Sequence, residues 1–182
     1  MRKLDEFTKK ILHPEQDISS QVQERKENTV NIERESVYFL DIDALIHFSG
    51  RLYGSFLVEK FTSSYIIPGN DNVYVTDEAT LEKLRLLEET GEKDIYSGYK
   101  AFIERNVVVI PNKMAIECFR HENVYRKWIN GTVIAFESEA CATVFGSLFY
   151  LYNKAGFEPV LVTYNSEMAR VALELGFTVI NN

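Results

Sequence analysis

Two carboxylates one residue apart, Asp41 and Asp43, close the apolar run in YFLDIDALI. Taking a carboxylate out of water is costly unless something pairs with it, so acids at the end of a core strand need a reason. Acids recur where other apolar runs give way to helix-like segments. Glu117 follows VVVI, Glu137 and Glu139 follow TVIAF, and Thr163, Asn165 and Glu167 follow PVLV. Like charges gathered in one cleft repel, by about 4 kcal/mol for two unit charges 4 Å apart at an effective dielectric of about 20. A hard divalent cation removes that cost, and carboxylate oxygens are what Mg²⁺ or Mn²⁺ takes. A cation so held activates water and stabilises the leaving oxygen in phosphodiester cleavage. The competing explanation is structural, since acids also cap helix N-termini.

The elements that must position these residues are legible as periodicity. Residues 37–42 read as a fully buried strand running into a helix and loop over 44–56. Residues 61–75 hold turn chemistry at Pro68-Gly69-Asn70-Asp71 and take no firm assignment. Helices are expected over 79–90 and 95–105, then a strand at 107–110, ended by Pro111 and followed by a helix over 113–128. A strand at 132–136, a long helix over 138–154, a strand at 159–163, a helix over 166–175 ending at Gly176, and a strand at 177–180 complete the chain. Alternating strands and helices imply an open parallel sheet covered on both faces, with its site beyond the carboxyl ends of the strands. Residues 1–36 are charged and mixed in sign. They read as a partly helical arm, with Phe7, Ile11 and Leu12 on one apolar face, that packs on the domain or on a partner.

The 182 residues suffice for one domain with an appendage, and 46% hydrophobic content excludes a disordered chain. A net charge of −7 argues against coating nucleic acid by bulk electrostatics but not against an acidic, cation-holding cleft. Cys118 and Cys141 make no zinc spacing and no disulfide framework. The N-terminus lacks a signal-peptide run, and residues 132–152, the most apolar long stretch, fall short of a membrane span. A cytoplasmic location is the expectation.

The order of these motifs resembles the PIN-domain family of metal-dependent nucleases over residues 37–182. That family opens on an apolar strand running into Asp, a polar residue and a helix, as in YFLDIDALIHF with Asp41 and Asp43. It continues with a short strand, a proline turn and a helix bearing Glu, as in VVVIPNKMAIECFRH with Glu117. An acid then opens a helix, for which Glu137 or Glu139 in FESEACATVF is the candidate. A strand ending Thr-x-Asp, a helix, Gly and a final strand follow, as in VLVTYNSEMARVALELGFTVI, with Asn165 where the family has Asp.

The resemblance implies a three-layer α/β/α sandwich with a mostly parallel sheet of about five strands, plus the N-terminal arm. It also implies a divalent-metal-dependent endoribonuclease, often a toxin paired with an antitoxin and often dimeric. Asp41, Glu117 and Glu137 or Glu139 would be its catalytic acids, holding Mg²⁺ or Mn²⁺. Asp43 and Asn165 join them as metal contacts, and Thr163 and Asn165 would position phosphate or water. Arg51, Tyr53, Lys113 and Arg120 are candidates for steering RNA, and Glu167 for replacing the missing Asp.

Two other readings compete. A PIN-like domain whose site has decayed at Asn165 would be a binding module, its arm serving a partner. The Asp-x-Asp strand and PVLVTYNS also resemble haloacid-dehalogenase-like phosphatases, in which Asp41 would be the nucleophile, Asp43 the acid/base and Thr163 the phosphate clamp. That scheme needs a downstream Lys and further acids, and no Lys follows Thr163.

Overall fold

A computed structural model describes residues 2–14, 34–46, 72–90, 103–104, 106–121 and 139–181. In chain order the elements are α1 (Arg2–Leu12), β1 (Ser36–Leu40), β2 (Val73–Asp77), α2 (Glu78–Glu89), β3 (Val107–Ile110), α3 (Asn112–His121), α4 (Glu139–Asn153), β4 (Glu158–Thr163), α5 (Ser166–Glu174) and β5 (Thr178–Asn181). The strands form one sheet in the order β3-β2-β1-β4-β5, every pairing parallel.

The central strand explains itself from its residues. In β1, Val37 and Phe39 point to one face and Leu40 to the other, and all three are fully buried. A parallel sheet is covered by helices on both sides, so its strands need apolar side chains on both. On the first face, Val144, Phe145, Leu148 and Leu151 of α4 pack over Val37, Phe39, Val75 and Leu161. On the second, Leu40, Tyr74, Val107 and Val162 meet Leu84 of α2 with Ala44, Leu45 and Ile103. Gly146 allows α4 to lie on α3, because a Cβ there would stand 2.0 Å from the Ala115 carbonyl oxygen.

Among the described residues the expected sandwich has five parallel strands, one of them not expected from sequence. Residues 73–77, not assigned from sequence, form β2 beside the central strand. The expected strand at 132–136 lies outside the described residues. β1 ends at Leu40, and Ile42 already belongs to a helical turn over 42–46. Of the helix expected over 95–105, residues 103–104 are described and helical, and the helix expected over 113–128 is described as far as His121.

α1 docks on the domain. Phe7 and Ile11 are buried in the α4-side core, the Phe7 and Phe157 ring centroids are 5.9 Å apart, and the Tyr150 hydroxyl donates to the Ile11 carbonyl at 2.7 Å. Just before β1, Arg34 stacks its guanidinium 3.9 Å from the Tyr152 ring centroid and donates to the Tyr152 carbonyl at 2.9 Å. Among the described residues no helix is long and apolar enough to cross a membrane.

Candidate active site

From β1 the sheet grows through β2 and β3 on one side and through β4 and β5 on the other. The carboxyl ends of β1 and β4 therefore flank the topological switch point, where open α/β sheets bind their ligands. Asp41 stands directly after β1 and Thr163 ends β4. The Thr163 hydroxyl donates to Asp41 Oδ2 across the switch point. The Ala44 amide donates to Asp41 Oδ1 at 2.8 Å, so Asp41 also caps the helical turn that follows it. Asp41 is only 1% exposed. Burial pushes its carboxyl up to about 6, against the hydrogen bonds from Thr163 and Ala44, and neighbouring Asp43 adds to the rise. Asp43 itself is half-buried.

Asn165 reaches this centre through its backbone. Its amide donates to Thr163 Oγ1 at 3.0 Å, while its side-chain oxygen accepts from the Glu167 and Met168 amides, each at 3.0 Å, and caps α5. Its side chain is thus committed to the helix start. Glu167 is exposed and forks onto Arg170, at 2.6 Å from Nη2 and 3.1 Å from Nε.

Sequence reasoning passed over Asp77, at the end of β2. It is fully buried, and its Oδ1 accepts from the Thr80 amide at 2.7 Å to cap α2. Burial raises its carboxyl above the ordinary range, opposed by the Thr80 amide and by the Thr143 and Ser147 hydroxyls of α4. Those hydroxyls are near enough to lower it, yet Asp77 Oδ2 and Ser147 Oγ make no hydrogen bond of ordinary geometry. The signal for Asp77 was available, since an acid follows the apolar VYVT and precedes a helix, as Asp41 follows VYFL.

The Asp41 carboxylate is bonded to Ala44 and Thr163, and among the described residues Glu117 joins it in no group of three metal-ligating side chains. Glu117 is exposed and lines an open cavity of ≈ 360 Å³ with Pro14, Met114, Cys118, Tyr150, Asn153 and Lys154. That cavity lies at the carboxyl end of α4. Asn153 is ten residues beyond Thr143, about 15 Å along the helix axis at 1.5 Å per residue, away from Asp77 and the switch-point edge. Arg51, Tyr53 and Glu137 lie outside the described residues. Of Glu139 and Arg120 only the backbone is described, Glu139 opening α4 and Arg120 in α3, and Lys113 is exposed in the first turn of α3.

Among the described residues no three His, Cys, Asp or Glu side chains converge to hold a metal ion. The donors at the switch point are nevertheless all oxygen, from Asp41, Asp43 and Thr163, with Glu139 opening the helix that packs beside β2. One or two carboxylates with water and phosphate oxygens satisfy Mg²⁺, so these residues fit a hard divalent cation.

No protein-family profile matches the chain, and no curated protein matches it. Solved structures do. Over 80% of this chain and 98% of the matched chain, at a TM-score of 0.55 and 12% identity, it is similar to the crystal structure of VapBC2 from Rickettsia felis bound to a DNA fragment from their promoter. The fold is a PIN-domain fold. VapBC-1 from nontypeable Haemophilus influenzae is also similar, at 15% identity and a TM-score of 0.48 over 80% of this chain and 97% of that chain. In this PIN-domain fold the buried acid Asp41 lies after the central strand, with Thr163 bonded to it from β4.

Proposed function

We propose that the chain is a divalent-metal-dependent endoribonuclease of toxin type, restrained by a protein partner. The observation that carries this reading is Asp41, a fully buried carboxylate at the switch point of a PIN-domain sheet. Burying a carboxylate there only to cap a helical turn would be wasteful, because Asn165 caps α5 from an exposed position without any charge. A cation facing Asp41 makes its ionised form tolerable.

Asp41 and Asp43, with Glu139 or Glu137, would hold Mg²⁺ or Mn²⁺. The cation supplies charge neutralisation and an activated water for in-line attack on an RNA phosphate. Thr163 holds one Asp41 oxygen and the Ala44 amide the other, which fixes the carboxylate plane before any ligand arrives. Lys113 is a candidate for phosphate contact, as are Arg51, Tyr53 and Arg120. The likeness to VapBC2 from Rickettsia felis, crystallised bound to a DNA fragment from their promoter, supports a protein partner. A second copy of the chain is the other partner this family suggests.

The test is cleavage of a mixed RNA pool by the purified chain in Mn²⁺. Fragments should appear with Mn²⁺, vanish with EDTA and vanish in Asp41→Asn of unchanged circular dichroism. No cleavage under any divalent ion would reject the enzyme. A binding module is the second reading, favoured by the commitment of the Asn165 side chain to α5. The phosphatase reading is weaker, because the Thr163 hydroxyl is given to Asp41 rather than left for a phosphate.

A further inference from the structure

We propose that Asp77, buried beside Thr143 and Ser147, is a positioning residue that sets where the first turns of α4 stand over the carboxyl edge of the sheet. Those turns include Glu139, so the inference rests in part on the nuclease reading, in which Glu139 is a candidate acid.

Capping α2 accounts for only half of Asp77. One oxygen, accepting from Thr80, does that work. The second oxygen is buried without a hydrogen bond of ordinary geometry. The Asp77 carboxyl lies close to the Thr143 and Ser147 hydroxyls of α4, which packs on β2 and α2, and Asp77, Thr143 and Ser147 are all 0% exposed. Around them the layer is apolar, with Val75, Ile110, Val144, Phe145 and Leu148. Three buried polar side chains cost stability that Val and Ala in their places would not. What they add is direction. Apolar contacts let a helix slide or roll over a sheet, whereas oriented polar contacts fix one register.

The spacing puts that register at the cleft. Thr143 and Ser147 are four residues apart, so they share one face of α4. Glu139 precedes Thr143 by one further turn and opens the helix. Any shift of α4 against β2 is passed directly to it. One Asp77 oxygen is held by the Thr80 amide, and in this proposal the residue acts through α4 as a positioning residue, not as a ligand.

The experiment uses the full chain and two readouts, amide hydrogen exchange across α4 and Mn²⁺ affinity by calorimetric titration. The variants are Asp77→Ala, Asp77→Asn and the pair Thr143→Val with Ser147→Ala, which serves if Asp77→Ala fails to fold. Asp77→Ala and the paired variant should speed exchange in α4 from residue 139 to 147 but not in β4 and β5. Both should weaken Mn²⁺ binding by about 10-fold or more, as loss of an outer-shell support does. Asp77→Asn keeps the shape and hydrogen-bonding capacity and should restore both readouts. Unchanged α4 exchange overturns the proposal. So does Asp77→Asn behaving like Asp77→Ala, or Mn²⁺ binding lost with α4 exchange unmoved, which would make Asp77 a ligand. Absence of Mn²⁺ binding in the unaltered chain would instead count against the nuclease reading, while α4 exchange still decides the clasp.

Discussion

Asp41 and Thr163, 122 residues apart in sequence, meet as acceptor and donor at the one place where the sheet changes its direction of growth. Thr163→Val keeps the shape and removes the hydroxyl. It leaves Asp41 Oδ2 and the Asn165 amide without that partner, at a cost of about 1–3 kcal/mol for a buried unsatisfied group. Chemical denaturation should show that loss, and Thr163→Ser should recover most of it. Because the Thr163 bond lowers the Asp41 pKa, Thr163→Val should also raise the pH at which Asp41 ionises.

Stability should fall as pH rises through the Asp41 transition. Its folded pKa, pushed up to about 6, exceeds the ordinary 3.8. The folded state therefore favours the protonated acid, and that contribution is complete below pH 3.8 and lost as pH passes 6. A shift of about two pKa units corresponds to about 3 kcal/mol. Asp77, also raised by burial, acts in the same direction. Urea midpoints between pH 4 and 8 should decline, and Asp41→Asn should flatten the curve. Mn²⁺ should stabilise the chain more at pH 7.5 than at pH 5, since it needs the ionised carboxylate.

Glu117→Gln should leave Mn²⁺ affinity within about twofold, because the side chain lines the cavity at the far end of α4 and is exposed there. Calorimetric titration beside Asp41→Asn, which should abolish binding, makes the comparison. A tenfold loss in Glu117→Gln would return Glu117 to the site.

Gly146→Ala should destabilise despite a helix-propensity gain of about 1 kcal/mol. The added Cβ falls 2.0 Å from a backbone oxygen of α3, which cannot swing aside as a side chain would. Overpacking of this kind costs about 1–3 kcal/mol, and the thermal midpoint should drop. Gly176→Ala meets open space yet should also destabilise, because φ is +87° there, a left-handed conformation in which glycine ends α5.

Much of this molecule was readable in its residues. β3, α4, β4, α5 and β5 fall within a residue or two of their periodicity, because each is a long or β-branched run bounded by Pro, Gly or an Asx cap. β2 escaped because its run is only VYVT, set behind turn residues, and its side chains are buried on both faces, leaving no alternation to detect. For the site, strand ends located Asp41, Thr163 and Asn165, since topology fixes where a strand stops. Glu117 was harder. Seven residues past a strand, a side chain lies about 10 Å down the helix, and spacing alone does not say which way it faces. Asp77 went unread together with β2, the strand whose end it marks, although an acid between VYVT and a helix was its signal.

The Tyr150-to-Ile11 bond spans 139 positions, and Phe7 rests on Phe157. During synthesis α1 must therefore wait for α4 and the start of β4 before its greasy side finds cover. Such late, long-range closure slows folding and leaves an adhesive surface bare in the interval. Chaperone capture of nascent chains would be concentrated in that window, and a shorter wait would follow from moving α1 to the opposite terminus.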